Sequence, residues 1–467
     1  MLNSLKELNN AEIKLPVNKW KEKDVDFWPI FRITYSFSCS EINSFSTVTK
    51  KQKNKKKLNL FNALLAFIRY ISLLFSLTKH QLIFIGSLTG YVNIDGINYN
   101  RILDPLRDCY EERKENCISI INDGYYREKT KYNAYDIEFL KILIYFISYL
   151  HRFLFKNMLK KKSEKYFILL RKTLSIKEEL LLAIINESIF NCYRIALSGF
   201  ILKYFLFFKN PKKVFISCYY SIFSMCIIYT CKKNRIATVD IQHGVQDYNH
   251  SAYGKWKNVP KEGYNVLPDE FYCYSEKESL VINEWIKQNK CMGHKVRIIG
   301  NLWLNKWNKN NNYTEKTLKY LNVLKKSYGE KKVALITLQD LNTFFDTAWF
   351  LNVIKKFSKE MLWMIRMHPC NKDLPEILNA FKSLDSVELN LATNLPLPIL
   401  IKFADIHITA YSTCVEDFAN FKKKSIIIHP KGKQYYNYLI ERDDAVLALT
   451  EKDAVRAINT ILFKENL

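Results

Sequence analysis

The chain has 467 residues, of which 48% are hydrophobic and 14% aromatic, with only 12 glycines and 11 prolines. This composition excludes disordered, collagenous and low-complexity proteins, and the length predicts two domains, because a single core rarely serves so long a chain. The 71 Lys and Arg against 46 Asp and Glu leave a net charge of +25, which predicts attraction to phosphate-bearing substrates or an anionic membrane. Nucleic acid is not an expected partner, because no nucleic-acid-binding signature accompanies the basic residues.

Cysteine usage and the N-terminal sequence indicate the compartment. Eleven cysteines are scattered along the chain without a CxxC pair, and their odd number favours free thiols in a reducing cytosol over disulfides or a metal site. The N-terminus MLNSLKELNNAEIKLP has no basic segment followed by an apolar core, so no secretory signal is expected. These features together predict a cytoplasmic protein.

Two apolar segments, residues 58–77 and 137–155, approach the length of a membrane-spanning helix. Arg69 interrupts the first segment, and four titratable side chains interrupt the second. An ionised group at the bilayer centre costs at least about 2.5 kcal/mol, which disfavours spanning and leaves either buried helices or helices at a membrane interface. Basic runs at 50–57 and 156–165 lie beside these segments and keep an anionic membrane surface among the expected partners.

From about residue 80, short β-rich runs alternate with longer helical stretches. This alternation is typical of parallel sheets covered by helices on both faces. Helices are expected to fill most of residues 122–212. The predicted strands of the first half are residues 81–86, 117–121, 213–218, 236–241, 271–275 and 296–300.

An Asn- and Lys-rich stretch at residues 301–316 indicates a crossing between domains. A second series follows, with predicted strands at residues 332–338, 362–367, 386–390, 405–409, 425–429 and 445–449. We therefore predict an α/β protein with two doubly wound parallel-sheet domains, residues 1–305 and 306–467, that face a cleft. Ligands of such sheets bind beyond the carboxyl ends of the strands.

His243 is the first candidate at such a strand end, two residues beyond a predicted strand. Its ring titrates near neutrality and suits proton transfer. Gly244 has access to backbone angles closed to other residues and leaves the ring approachable, and Gln242, His250 and Tyr253 are expected to shape the same pocket. The alternative is a structural histidine that binds a neighbouring carbonyl.

Arg366, His368 and Pro369 end the second strand of the second series. Proline restricts the preceding residue to extended backbone, which holds His368 in a pose suited to donating a hydrogen bond to phosphate. Arg366 lies on the same side of the strand and adds a charge-assisted contact. The alternative is a strand-end turn that binds nothing.

A third candidate group lies in AYSTCVED, where Ser412 and Thr413 stand at the expected start of a helix. The amides of a helix N-terminus attract phosphate, and Glu416 or Asp417, one turn later, can accept hydrogen bonds from ribose hydroxyls. The same spacing also fits a capping box, so ordinary helix capping is the alternative. Walker, GxGxxG, HExxH and GxSxG motifs are absent from the sequence.

The motif Arg-x-His-Pro, about forty residues before ADIHITAYSTCVEDFANFKKKSIII, resembles the C-terminal half of GT-B enzymes of bacterial surface polysaccharides. These include capsule-type sialyl- and Kdo-transferases and the CDP-glycerol glycerophosphotransferases of teichoic acid synthesis. The stretches VDFWPIFR, DGINYNRILDPL, VDIQHGVQDYNHSAY and PDEFYCYSEKE resemble their N-terminal half. The resemblance implies a GT-B-like fold with His243 as the base that deprotonates an acceptor hydroxyl. It also implies a donor nucleotide site formed by Arg366, His368, Pro369, Ser412, Thr413 and Glu416.

The implied reaction moves a sugar from a nucleotide-activated donor, with a CMP-linked acidic sugar favoured, to a hydroxyl of a surface polysaccharide or lipid-linked glycan. Donors fixed at the departing phosphate stabilise the charge that develops there, so neither a metal nor another cofactor is expected. Three alternatives stay open: a CDP-glycerol-type glycerophosphotransferase, a sugar-nucleotide epimerase and a non-catalytic scaffold of capsule assembly. The expected location is the inner face of the cytoplasmic membrane, with peripheral attachment.

Overall fold

A computed structural model describes residues 2–44, 60–123, 129–309, 331–339, 341–368, 375–382 and 386–463, together with residues 319, 321–323, 325, 326, 329 and 384. The basic run 50–57, part of the predicted crossing at 301–316, and Pro369 lie outside the described residues. The chain forms two compact units. Unit 1 comprises Met1–Tyr91 and Ile97–Leu302, and unit 2 comprises Val92–Gly96 and Trp303–Leu467.

The first part of the chain alternates strands and helices. In chain order the elements are α1 (Leu2–Lys14), β1 (Lys21–Glu22), β2 (Val25–Asp26), α2 (Phe27–Ser44), α3 (Leu60–Ser76), β3 (Leu82–Gly86), β4 (Tyr91–Ile94), β5 (Ile97–Asn100), α4 (Asp104–Glu111), β6 (Cys117–Ile121), β7 (Ala134–Asp136), α5 (Glu138–Leu154), α6 (Lys156–Leu170), α7 (Glu178–Phe205), β8 (Lys213–Ser217), α8 (Ile222–Lys233), β9 (Ala237–Ile241), β10 (Glu270–Cys273), α9 (Glu276–Gln288) and β11 (Lys295–Ile298). The predicted helical stretch before β8 is confirmed.

Unit 1 is built on a parallel seven-stranded sheet in the order β11-β10-β9-β8-β3-β6-β7. Successive residues of β3 point to opposite faces, so Ile83 and Ile85 join one buried cluster while Phe84 joins another. On the second face the Phe84 and Phe215 rings stack with centroids 4.7 Å apart. Both faces are therefore buried, which explains why these strands read as continuous apolar runs.

The second part of the chain repeats the alternation with shorter helices. In chain order its described elements are α10 (Leu302–Lys309), β12 (Lys332–Thr337), α11 (Leu341–Asp346), α12 (Phe350–Lys356), β13 (Met361–Arg366), α13 (Pro375–Phe381), β14 (Val387–Glu388), α14 (Asn390–Asn394), α15 (Leu397–Phe403), β15 (Ile406–Thr409), α16 (Cys414–Asn420), β16 (Ser425–Ile427), α17 (Pro430–Glu441), β17 (Ala445–Leu447) and α18 (Glu451–Ile458).

Unit 2 contains a parallel six-stranded sheet in the order β14-β13-β12-β15-β16-β17. Ile426 and Ile427 of β16 belong to buried clusters on opposite faces. The predicted fold class, two doubly wound parallel α/β sheets, is confirmed. Five strands of this sheet lie within the predicted runs, and β13 begins one residue before its predicted run 362–367. The predicted cleft between the two units stays a prediction.

Candidate functional site

Strand β9 carries His243 to the carboxyl edge of the unit 1 sheet. In the parallel register, Ile241 of β9 lies beside Ser217 of β8 and beside Tyr272 of β10. The chain therefore leaves the sheet next to the turns that follow both neighbouring strands. His243 stands two residues further on, at the edge where open parallel sheets bind their ligands.

The His243 ring is held in its neutral form. Burial, with smaller contributions from the charges of His250 and Arg101, lowers its pKa to about 4, while a hydrogen bond with the Ile241 backbone acts in the opposite direction. Desolvation has this effect because imidazolium loses more hydration than imidazole. Nε2 of His243 lies 3.2 Å from the Tyr220 hydroxyl. With its proton on Nδ1, the ring can accept a hydrogen bond from an oxygen at that position.

Tyr220 reaches His243 from the turn that follows β8. The turn contains Cys218 in the left-handed region at φ 76°, and the Cys218 thiol lies close enough to Tyr220 to contribute to the raised pKa of the Tyr220 hydroxyl. Burial raises the pKa of the Cys218 thiol to about 12 and also raises the pKa of the Tyr220 hydroxyl. Both groups therefore stay protonated, and Cys218 lacks the thiolate form that a nucleophile needs.

Asp240 lies beneath these side chains, with only 1% of its surface exposed. One carboxylate oxygen accepts a hydrogen bond from the Tyr219 backbone N–H at 2.9 Å, and the other accepts one from the Tyr253 hydroxyl at 2.9 Å. Burial raises the pKa of Asp240 to about 7 against the opposing effect of these hydrogen bonds. The carboxyl therefore joins the turn after β8 to the loop after β9. Its signal in the sequence is a single charged residue inside an apolar strand.

Gln242 braces the turn that carries His243. Its buried side chain donates to the Gly244 carbonyl at 2.9 Å and accepts from the Tyr274 backbone N–H at 2.7 Å. Gly244 is exposed, its φ lies outside the left-handed region, and an added Cβ would meet nothing within 4 Å. The backbone freedom expected of Gly244 is therefore not used, whereas the open space expected beside it is present.

His250 and Tyr253 have different surroundings, although both were expected in the pocket. His250 is half-buried, with its ring centroid 5.4 Å from that of Tyr220, and burial lowers its pKa. Tyr253 is 1% exposed, and its hydroxyl is directed to Asp240. The structure thus brings His250 close to His243 and places Tyr253 in the supporting layer below.

Arg32, in the stretch VDFWPIFR, holds the loop that follows β9. Its buried guanidinium donates to the Ser251 carbonyl at 2.9 Å and to the Gly254 carbonyl at 2.7 Å. The buried carboxylate of Glu12 pairs with it. Because a buried charge needs such compensation, these contacts fix the path of the loop between His250 and β10.

In unit 2, two of the predicted donor-site groups share one sheet edge. Thr337 of β12 lies beside Arg366 of β13 on one side and beside Thr409 of β15 on the other. Strands lie roughly 4.8 Å apart, so Arg366 and Thr409 are separated by the width of one strand. His368 follows Arg366 and Ser412 follows Thr409, both at the carboxyl edge where ligands bind.

Arg366 is partly engaged within the protein. Its Nη1 donates to the carbonyl of Ala392 at 2.8 Å and to that of Leu395 at 2.7 Å. This nitrogen therefore anchors the middle of α14 and the residue that follows the helix. His368 is exposed. Binding of a donor nucleotide by either side chain stays a prediction.

The turn after β15 combines capping with exposed hydroxyls. The Ser412 hydroxyl accepts a hydrogen bond from the Cys414 backbone N–H at 3.3 Å and so satisfies one amide at the start of α16. The N-cap residue Thr413 makes no side-chain capping bond, so the capping box of the alternative interpretation is not formed. Thr413 is exposed, and the Glu416 carboxylate accepts a hydrogen bond from the Tyr438 hydroxyl at 2.6 Å. Glu416 is thus held by α17.

A basic aromatic group at the same edge was not identified from the sequence. Thr409 of β15 lies beside Ile427 of β16, and this pairing places Tyr411 against His429, with ring centroids 5.4 Å apart. The Lys431 ammonium lies 5.4 Å from the centroid of the Tyr411 ring. Cationic donors of this kind bind phosphate oxygens strongly. The sequence signal was a second His-Pro, at the end of β16.

Gly432 allows α17 to approach the turn after β15. An added Cβ at this position would collide with the Ala410 carbonyl oxygen and with the Ile427 side chain. Because backbone cannot move aside as a flexible side chain can, residues larger than glycine do not fit here. Gly432 therefore permits the contact that sets Tyr411 beside the N-terminus of α17.

Metal ligation has no candidate among the residues described. Within that part of the chain, no three His, Cys, Asp or Glu side chains are grouped so that they could hold a metal ion. The described cysteines are free thiols. That the reaction needs no cofactor stays a prediction.

No family model matches the sequence, and no curated protein matches it. Solved structures with a similar chain path include a UDP-GlcNAc 2-epimerase from Methanocaldococcus jannaschii, with a TM-score of 0.48 and 12% identity over 83% of this chain and 94% of that one. Another is a UDP-GlcNAc 2-epimerase from Neisseria meningitidis bound to UDP-GlcNAc, with a TM-score of 0.48 and 13% identity over 82% and 91% of the two chains. The wall teichoic acid polymerase TagF has a TM-score of 0.45 and 11% identity over 86% and 89%. At such values these similarities assign neither activity nor substrate to this chain.

Proposed function

We propose that the protein is a glycosyltransferase that moves a sugar from a nucleotide-activated donor to a hydroxyl of a bacterial surface polysaccharide or lipid-linked glycan. The observation that carries the proposal is the neutral His243 ring at the carboxyl end of β9, whose Nε2 lies at hydrogen-bonding distance from the Tyr220 hydroxyl. A CMP-linked acidic sugar is the favoured donor, on the sequence resemblance alone.

In the proposed step, the acceptor hydroxyl approaches Nε2 of His243 alongside the Tyr220 hydroxyl and transfers its proton to Nε2 as its oxygen attacks the anomeric carbon. A bond forms between that oxygen and the anomeric carbon. The bond from the anomeric carbon to the phosphate oxygen breaks, and its electron pair leaves with the nucleotide. A positioned base typically contributes about 10²- to 10⁴-fold to such a rate.

His243 suits this part because its pKa keeps the ring unprotonated at neutral pH. The hydroxyl of Tyr220 and the ring of His250 fix its surroundings. Only a neutral imidazole accepts a proton, so the proposal predicts activity that persists well below the ordinary histidine pKa of about 6.5. The acid limb of the rate profile should lie near pH 4.

Unit 2 is proposed to bind the nucleotide. His368, Ser412 and Thr413 stand at its carboxyl sheet edge with Lys431, and the negative charge that develops on a departing phosphate attracts such donors. The Tyr411 ring offers a face on which a base or sugar can stack. These contacts favour the leaving group more as its charge increases, which is what accelerates transfer.

Thermal-shift measurements with CMP, CDP, UDP and GDP test the nucleotide site. We expect at least one nucleotide to raise the melting temperature of the full chain, and Lys431→Ala to reduce that rise, whereas the exposed Lys287→Ala on α9 should leave it unchanged. The absence of any shift would contradict the nucleotide site.

Product analysis separates the alternatives. Release of glycerol phosphate onto the acceptor would indicate a glycerophosphotransferase, and conversion of free UDP-sugar without an acceptor would indicate an epimerase. Nucleotide binding without any turnover would indicate a scaffold.

A further inference from the structure

Helix α5 presents an apolar face to solvent. Phe146, Leu150 and Phe153 are 66%, 48% and 76% exposed, and their spacing places them on one side of the helix. On the opposite side, Leu140 and Ile144 are buried in the unit 1 core. The helix is therefore apolar on both sides, whereas a helix at a water interface normally exposes polar residues there.

Helix α3 continues this surface. Its Tyr70 ring stacks on Phe139 of α5 with centroids 5.3 Å apart. Leu64 and Ile68 are each 56% exposed, and Phe75 is 87% exposed. We call the six exposed side chains Leu64, Ile68, Phe75, Phe146, Leu150 and Phe153 the apolar face.

The C-terminal end of α7 adds to the same side of unit 1. The Tyr70 hydroxyl of α3 donates to the Phe205 carbonyl at 2.8 Å, which places the end of α7 next to α3. Phe200 and Tyr204 of α7 are 73% and 56% exposed. So many exposed large apolar side chains on neighbouring helices are unusual on a soluble monomer unless a partner covers them.

Basic residues follow the exposed apolar residues of α5 directly in the chain. Between residues 152 and 172 the chain has eight Lys or Arg and a single glutamate. Lys156, Lys160, Lys161 and Lys165 of α6 are exposed. An apolar surface with exposed lysines next to it in the chain matches an anionic phospholipid membrane, whose acyl region accepts the apolar side chains while its headgroups attract the lysines.

The helices suit a position on the membrane better than one across it. Helices α3 and α5 each have 17 residues, short of the roughly 20 that spanning requires. Arg69 of α3 pairs with the buried Asp136. Among the described helices, α7 is long and apolar enough to cross a membrane. However, 56% of its most apolar 18-residue stretch is buried inside the protein, and Ile189 and Ile195 of this helix belong to the core.

We propose that the apolar face of α3 and α5 binds the surface of an anionic phospholipid bilayer, with the lysines of α6 against the headgroups. The inference stands independently of the proposed transfer activity, since it uses none of the residues assigned to catalysis. Lipid is the proposed occupant because the exposed lysines of α6 attract anionic headgroups, whereas they would repel a second copy of the same basic chain.

Sedimentation with vesicles tests the proposal on the full chain. The wild type should sediment with vesicles of equal parts phosphatidylcholine and phosphatidylglycerol at low salt, and far less with phosphatidylcholine alone. The double variant F146S/F153S should bind on the order of tenfold more weakly. Its matched control is L280S/M292S, which also replaces two exposed apolar side chains of unit 1, 54% and 78% exposed, away from these helices.

A charge variant tests the lysines of α6 separately. K160E/K161E should weaken binding to the mixed vesicles and make the remainder less sensitive to salt. K287E/K295E, which changes the net charge equally at exposed positions of α9 and β11, should retain more of the binding. Circular dichroism checks that each variant is folded.

Three results would overturn the proposal. In the first, the wild type would fail to bind the mixed vesicles. In the second, F146S/F153S would bind them as well as its control L280S/M292S. In the third, the wild type would self-associate in sedimentation equilibrium, F146S/F153S would be monomeric, and neither would bind vesicles, which would assign the apolar face to a second copy.

Discussion

Asp240→Asn removes a buried carboxyl whose ionisation opposes folding. Burial raises the pKa of Asp240 from 3.8 to about 7, so the folded protein holds a proton that the unfolded chain releases between these values. A raised carboxyl pKa contributes stability that is fully present below about pH 4 and is lost as the pH rises through about 7. Asparagine has no proton to lose, so it mimics the protonated form at every pH.

The magnitude follows from the size of this shift. About three pKa units at 1.36 kcal/mol each correspond to about 4 kcal/mol. The free energy of unfolding of D240N minus that of the wild type should therefore increase by about 4 kcal/mol between pH 4 and pH 8. Other buried carboxyls such as Asp104, whose pKa burial raises to about 7, titrate in both proteins and cancel in the difference.

Urea unfolding followed by tryptophan fluorescence measures this difference, because Trp28, Trp256 and Trp285 are buried in unit 1. The control N283A, which alters a half-buried amide on α9, should give a difference that does not vary with pH. A difference for D240N that stays constant from pH 4 to pH 8 would refute the assignment of a raised pKa to Asp240. A difference in the free energy of unfolding that decreases with pH would mean that folding lowers the pKa of Asp240.

Two further predictions concern the site and its support. Gly432→Ala should destabilise unit 2 by about 1–3 kcal/mol in thermal unfolding, because the added methyl group overlaps backbone atoms. The control Gly244→Ala, whose methyl group meets open space, should stay within about 0.5 kcal/mol of the wild type. Equal effects of the two substitutions would contradict the packing described for Gly432. Tyr220→Phe removes the hydroxyl beside His243, so kcat/KM for transfer should fall about two- to tenfold while the nucleotide affinity stays unchanged. A loss of nucleotide binding would show that Tyr220 acts on the nucleotide and not on His243.

The central strands of both sheets could be predicted from sequence because they are buried on both faces. After Lys213, the run 213–218 has Ser217 as its one polar residue, and a short, mostly apolar run with β-branched and aromatic residues is typical of a strand buried on both faces. Strand β7 escaped prediction because it is a three-residue edge strand, Ala134–Asp136, with two half-buried side chains. Its pairing to β6 depends on tertiary contact, which has no local signature.

The β4–β5 hairpin was predictable in principle. Asp95 and Gly96 both have positive φ, as the two central residues of a type I′ turn require, and Asp-Gly is a strong hairpin signal. The Asp-Gly pair opens the stretch DGINYNRILDPL, and only four residues of each strand flank it.

Some residues of the His243 site have a local signal in the sequence, and others do not. His243 could be found because a polar ring after an apolar strand is visible locally. Tyr220 could not, because the turn after β8 becomes a neighbour of His243 only through parallel pairing of β8 with β9. Asp240 has a local signal as a charged residue inside an apolar strand, but its bonds to Tyr219 and Tyr253 depend on the fold. Gln242 was expected in the pocket, yet its buried amide is occupied by backbone groups, which sequence spacing does not reveal.

The rate of nucleotide release by His243→Ala, measured with an activated donor and a glycan acceptor, tests the central claim most directly. The account predicts that turnover falls about 10²- to 10⁴-fold while the nucleotide-induced thermal shift is retained, and that His80→Asn, at an exposed position of unit 1, behaves as the wild type. Turnover by His243→Ala at the wild-type rate would contradict the assignment of His243 as the base.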